Sequence, residues 1–238
     1  MRIKLLDPWI RGNDSITPEN FFKDNSPDFG MGMFLSLDEC IDLYLAHKFE
    51  SGNLTESWKK TREYIEESYE LIGREYDLND DNFDWTLDNE ERYMILDRLG
   101  EPPLASYNIY MISIVNPQQN EEKVVYIGKT NSKDSRFANG HLAALKLHNP
   151  CYNNYQKKVY FGTLVFITEH REYLPLEFIS SLEESKDILD KVEKMLISHF
   201  QPELNSISLK YNKAPLDTII IIENFNTGFL HGESIYPW

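Results

Sequence analysis

The strongest constraint on how this chain folds is a change of period near residue 107. From Tyr107 to Val115, and again from Lys123 to Lys129, the sequence is rich in β-branched and aromatic residues. Asn116-Pro117-Gln118-Gln119-Asn120 separates the two runs, and its Pro and Asn favour a turn, so a β-hairpin is expected. Each run holds a tyrosine tripeptide, Asn108-Ile109-Tyr110 in the first and Tyr126-Ile127-Gly128 in the second. A helix suits Asp134 to His148, closed by Asn149-Pro150, and a third strand suits Val159 to Thr168. Leu182 to Phe200 reads as a long amphipathic helix, with Ile188, Leu189, Val192, Leu196 and Ile197 on one face and Pro202 beyond its end. Thr218 to Glu223 reads as a buried strand. The order β-β-α-β-α predicts an α+β fold, a small antiparallel β-sheet flanked by helices.

Ahead of this region the first hundred residues read mainly as helix. Ser36-Leu37-Asp38-Glu39 has the form of a capping box, and Leu37, Ile41, Leu43, Tyr44 and Leu45 supply an apolar face behind it. A second helix is expected from Thr55 to Tyr76, with Glu63, Glu66, Glu67 and Glu70 on a solvated face rather than in a metal site. A third spans Asn89 to Leu99 and stops at Gly100, and the Pro102-Pro103 pair beyond it is the best boundary the sequence offers. The expected division is therefore 1–103, an acidic, mainly helical region, and 104–238, the β-containing domain with a C-terminal extension.

With 238 residues the chain can bury a substantial core as one large domain or two small ones. No apolar run approaches the roughly 20 residues that span a bilayer, and Asp7 interrupts the short apolar patch at the start, so neither a membrane span nor a secretory signal is expected. Cys40 and Cys151 lie far apart without zinc-type spacing, and reading them as free thiols implies a reducing cytoplasm. The net charge of −15 argues at first against nucleic acid. The way the charge is distributed reverses that inference. Residues 1–105 carry 11 Lys/Arg against 24 Asp/Glu, whereas residues 106–238 carry 13 against 15. Residues 123–158 hold seven basic residues (Lys123, Lys129, Lys133, Arg136, Lys146, Lys157 and Lys158) and one acidic, Asp134. A local positive field beside a negative lobe is compatible with binding DNA on one face.

In chain order Tyr110, Tyr126, Arg136, His141, Glu193 and Asn205 form a set that resembles the GIY-YIG nuclease family, named for its two tripeptides. The resemblance covers about residues 107–206. It includes the stretch from Gly128 to Arg136, the twelve-position spacing from Glu193 to Asn205, and Pro202-Glu203-Leu204-Asn205, which is similar to the family's Pro-x-x-Asn close. One position departs: Asn108 stands where the first tripeptide has its glycine, and Asn tolerates unusual backbone angles better than most residues.

The resemblance implies a metal-dependent endonuclease, and each residue type suits a task in phosphodiester hydrolysis. Tyr110 would activate or position the water. A free phenol, with a pKa of about 10, needs nearby cations to serve as a base, and Lys129 and the metal would supply them. Arg136 would fork onto the phosphate oxygens. Glu193, on the long helix beside Val192 and Leu196, would be the carboxylate that binds a largely hydrated Mg²⁺ (or Mn²⁺). Tyr126, His141, Lys129 and Asn205 would assist, Asn205 by bracing the site through hydrogen bonds. Lys129, Lys133, Arg136, Lys146, Lys157 and Lys158 are the expected nucleic-acid contacts. The resemblance favours double-stranded DNA as partner, and a stand-alone restriction or defence role. The acidic N-terminal region would suit a protein partner, and a homo-oligomer is compatible with the sequence. Two other readings stay open: a catalytically silent nucleic-acid- or protein-binding module, and an RNA-cleaving toxin.

Overall fold

The computed structural model describes residues 2–13, 18, 32–77, 80, 82–130, 137, 141–167, 173–205 and 214–238. Among them seven strands share one sheet: β1 (Met33–Asp42), β2 (Ile109–Asn116), β3 (Glu121–Lys129), β4 (Gln156–Ile167), β5 (Tyr173–Pro175), β6 (Ile220–Asn224) and β7 (Glu233–Ile235). The order is β3-β2-β4-β1-β6-β7, and β5 pairs with the far end of β4. The helices are α1 (Asp7–Ile10), α2 (Leu54–Leu71), α3 (Asn89–Leu99), α4 (Leu142–Lys146) and α5 (Leu182–Phe200), with a 3₁₀ segment at Leu43–Lys48. The protein is α+β, as expected, but its sheet is larger than expected and mixed: β1 runs antiparallel to β4 and parallel to β6.

That placement corrects two expectations. The stretch from Ser36, read as a helix, is the second half of a strand. Met33, Leu35 and Leu37 alternate inward with period two, and the Ser36 hydroxyl bonds the Asp38 carboxylate at 2.8 Å instead of capping a helix. Gly162 of β4 makes room for this strand. A Cβ there would lie 2.8 Å from Leu37 and 2.9 Å from Leu35. The division at residue 103 also fails to separate the sheet, because β1 comes from the first hundred residues and lies between β4 and β6.

The remaining helices follow their capping chemistry. Asn53 caps α2 by accepting from the Glu56 N–H at 2.9 Å. The helix stops at Leu71, earlier than expected, because Gly73 takes φ +71° in the turn that ends it. Its Glu63, Glu66, Glu67 and Glu70 are exposed or half-buried, on the solvated side expected of them. Asp88 and Glu91 form a full capping box on α3. Helix α5 spans the expected residues and buries Ile188, Leu189, Val192, Met195, Leu196 and Ile197. Both cysteines are free thiols, and no described helix is long and apolar enough to cross a membrane.

The core lies on both faces of the sheet. On one, α5 and α2 cover Leu35, Met111, Ile127 and Leu164. On the other, α4 and the 3₁₀ segment cover Tyr110, Ile112, Val125 and Phe161. Arg62 of α2 locks the approach to α5. It donates to the carbonyls of Glu177 (3.0 Å) and Ile179 (2.7 Å) while its guanidinium stacks on Trp58.

The Glu177 side chain is fully buried. Its Oε1 accepts from Ser57 Oγ (2.7 Å), Ser106 N (2.8 Å) and Ser106 Oγ (2.9 Å). Burial raises its pKa above the ordinary glutamate value, outweighing the hydrogen bonds that favour the ion. A raised acid contributes most when protonated. Its contribution is complete below the unfolded value of about 4.3 and is lost as pH climbs through the folded one. Glu177→Gln keeps the acceptor and removes the ionisation. Thermal melts should therefore show the variant gaining on the parent protein as pH rises from about 5, by up to about 1.4 kcal/mol per pH unit. A difference that stays flat as pH rises overturns the assignment.

Candidate active site

The hairpin β2–β3 places the two tyrosines. Tyr110 stands opposite Gly128, and Tyr126 opposite Ile112, so both rings lie on the face covered by α4. Their centroids are 6.0 Å apart in a stacked arrangement. His141, the residue before α4, completes the group: its Nε2 lies 2.9 Å from the Tyr110 hydroxyl, and its ring meets Tyr126 edge-on at 4.9 Å. Phe137 stacks on His141 at 5.0 Å and meets Tyr110 edge-on at 5.3 Å. Tyr110 is fully buried, His141 nearly so, and Tyr126 half-buried.

Gly128 is required by this packing. A Cβ on it would lie 2.5 Å from Tyr110 Cζ and 2.9 Å from Tyr126 Cε1. The glycine of the second tripeptide is thus the floor on which the first tyrosine lies. Asn108 has no such role, and its backbone is not in the positive-φ region. The expectation that asparagine sits there for unusual backbone angles is therefore corrected. Strand β2 stops pairing at Ile109↔Gly162, and Asn108 Oδ1 accepts from the Leu164 N–H at 2.9 Å, serving a β4 group that lies past that end.

Lys129, Glu193 and Asn205 lie elsewhere around β3. Successive side chains of a strand point to opposite faces, so Lys129 turns away from Tyr110 and toward α5. Its Nζ pairs with Asp190 and, at 3.0 Å, with Glu193 Oε2. Burial pulls the Lys129 pKa down, but the two carboxylates outweigh it, and the net direction is up. The expectation that Lys129 lowers the phenol pKa is corrected by this geometry. Glu193 is about 20% exposed against 42% for Asp190 and 59% for Asp187, so it is the most shielded of these three carboxylates. Asn205 reaches the outer edge of β3. Its Oδ1 accepts from the Ile127 N–H at 3.0 Å, and its Nδ2 donates to the Ile127 carbonyl at 2.8 Å. The adjoining Leu204 N–H bonds the Val125 carbonyl at 2.9 Å, and Glu203 is anchored by Lys123 (3.0 Å) and Tyr152 (2.8 Å).

The expected basic residues divide as well. Lys157 faces the tyrosine side together with Ile114, and Lys146 is exposed on α4. Lys158 alternates to the other face, where it meets Glu122 at 3.5 Å. Lys133 and Arg136 lie outside the described residues. Sequence reasoning missed Phe137 and Asp190. An aromatic directly after Arg136 was the available signal for the first, and i, i+3 spacing from Glu193 was the signal for the second.

Among the described residues no group of three or more His, Cys, Asp or Glu converges as a metal cage. A single shielded carboxylate that already attracts an ammonium fits a largely hydrated Mg²⁺, which takes one or two carboxylates and keeps its waters. Compared with family models, with curated proteins and with solved structures, the chain matches none.

Asn205→Ala removes both bonds to Ile127 and leaves a partly buried N–H without its acceptor. The cost should be about 2 kcal/mol in denaturant unfolding. A change below about 0.5 kcal/mol would show that water replaces the amide. Gly128→Ala should cost about 1–3 kcal/mol through overpacking against both tyrosine rings, read from the same unfolding curves.

Proposed function

We propose that this chain is a metal-dependent nuclease of the GIY-YIG type that hydrolyses DNA phosphodiester bonds. The observation that carries the reading is the Tyr110–Tyr126–His141 group over Gly128, with the Tyr110 hydroxyl 2.9 Å from His141 Nε2. Its supports are the Asn205 brace on the strand of Tyr126 and the half-shielded Glu193 on α5. A restriction or defence role on double-stranded DNA follows from the same resemblance.

The chemistry runs through the tyrosine and histidine. A neutral imidazole carries one acceptor nitrogen, whereas a free phenol, with a pKa of about 10, keeps its proton unaided at neutral pH. With Nε2 as the acceptor, His141 takes the Tyr110 proton as the Tyr110 oxygen takes one from the attacking water, so the proton lost by water ends on the imidazole and solvent protonates the leaving oxygen. The water oxygen bonds to phosphorus in line as the bond from phosphorus to the leaving oxygen breaks. Arg136 neutralises the phosphate oxygens. Glu193 would hold the metal, which when bound supplies Lewis-acid stabilisation of the leaving oxygen. Lys129, paired with Glu193 at 3.0 Å, would give up that carboxylate where a metal is held. Because β3 is the outer strand of the sheet, a phosphate at its Gly128–Lys129 end lies between the tyrosine side and the Glu193 side.

One observation favours a second reading, a catalytically silent binding module: Tyr110 is fully buried, packed against the rings of Tyr126, Phe137 and His141, so a rearrangement must precede any contact of its hydroxyl with water. Supercoiled plasmid incubated with the purified protein separates the two. Nicking with Mg²⁺ but not with EDTA, reduced at least about 100-fold in Tyr110→Phe and in Glu193→Ala, is the expected result. Nicking that survives both substitutions sinks the assignment of the site, and no nicking at all leaves the binding module.

A further inference from the structure

On the tyrosine face, beyond the far end of α4, lies a second feature that the cleavage chemistry does not use. A cleft of about 460 Å³ opens between the 3₁₀ segment of the N-terminal region and the start of β4. Leu43 and Leu147 form its apolar lining, Tyr44 and Tyr155 its aromatic walls, and Lys157 its cationic side, with the His148 ring among the lining groups. Among the described residues Asp42 is the one acidic group that lines it. Tyr44 is 71% exposed. We propose that this cleft is a nucleobase slot, which takes a base turned out of the duplex from the strand flanking the cut. The inference rests on the nuclease reading and names where the substrate extends.

The physical case has three parts. The volume lies within the usual range of about 300–1,000 Å³ for small-ligand pockets, and so admits a base with its sugar. An exposed tyrosine ring beside an apolar floor is the platform on which a base stacks without regard to sequence. The charge is complementary: Lys157 lines the slot, and exposed Lys48 and Lys146 stand on the neighbouring 3₁₀ segment and on α4, against Asp42 in the lining. The carboxylate of Asp42, an acceptor only, suits the amino groups of a base edge better than a phosphate.

The position is set by α4. From His141 to His148 the chain advances by seven residues of largely helical backbone, roughly 10 Å at about 1.5 Å per residue. At about 3.4 Å per base, the slot holds a nucleotide roughly three positions from the phosphate at the tyrosine site. The slot thus gives the N-terminal region a direct part in substrate binding, through Asp42, Leu43 and Tyr44.

Fluorescence anisotropy with a labelled single-stranded oligonucleotide, in EDTA to block cleavage, tests the proposal on the full chain. Tyr44→Ala should weaken binding about tenfold, and Tyr44→Phe should retain it. Lys157→Ala should lower the slope of log affinity against log salt by about 0.7. Tyr93→Ala, which removes a tyrosine 74% exposed on α3, should change nothing. Single-strand affinity within twofold of the parent in Tyr44→Ala overturns the slot, and if the same preparation nicks plasmid, the nuclease reading survives that failure. Tyr44-dependent binding without nicking upholds the slot and removes the nuclease reading. No oligonucleotide binding at all removes the slot.

Discussion

The two hydrogen bonds between Asn205 and Ile127 are the contact on which the rest of the site depends. Strand β3 is an edge, and in its pairing with β2 the N–H and C=O of Ile127 point outward. Left to solvent, that edge would be free to fray or to pair with another chain. One side-chain amide answers both groups, and Leu204 answers a third at Val125, so a few residues act as a fragment of strand. The same residues end the segment that leaves α5. Gln201 turns that chain at φ +46°, a conformation a non-glycine residue adopts only at a cost, and Pro202 follows. The clamp therefore fixes the position of α5, with Glu193 on it, relative to the strand that holds Tyr126.

Buried polar groups close the open end of the hairpin, just beyond that clamp. Thr130 donates from its hydroxyl to the Tyr107 carbonyl and from its N–H to the Asn108 carbonyl, closing the open end of β2–β3. Asn108 then ties that end to β4. Glu177 joins α2, through Ser57, to the residues just before β2, through Ser106. Each of these groups is buried, and each would be costly if left without its partner. Through Ser57 and Glu177 the first hundred residues are tied to the β-containing region by polar bonds as well as by the apolar core.

Much of the fold is legible in the sequence because local signals and tertiary demands agree. Helix α5 runs over the residues its apolar stripe marks out, and the hairpin falls where its turn residues put it. Strand β1 is easily mistaken for a helix because two signals compete in the same residues. Ser36 and Glu39 have the spacing of a capping box, while Met33, Leu35 and Leu37 alternate with period two. Partners distant in sequence, β4 and β6, decide the outcome, together with the space above Gly162. Of the site, residue identity reveals the tyrosine pair and the spacing reveals Asn205. What neither reveals is facing. Nothing in the string shows that Asn108 works through its side chain or that Asp190 shares Lys129 with Glu193, because both depend on contacts across elements.

Facing also changes what the basic stretch means. Seven positive residues within 123–158 look like one patch, yet a strand sends neighbours to opposite sides. Lys157 goes to the tyrosine face while Lys158 meets Glu122, and Lys129 is taken up by two carboxylates of α5. A cation held by carboxylates contributes little attraction for phosphate at a distance, since its charge is cancelled within a few ångströms. Among the described residues the field that phosphate would meet on the tyrosine face therefore comes from α4 and from the start of β4. The 3₁₀ segment of the acidic N-terminal region borders that same face, contributing both Lys48 and the exposed ring of Tyr44. For a chain of net charge −15, affinity for a polyanion rests on where a few uncompensated lysines stand rather than on the total.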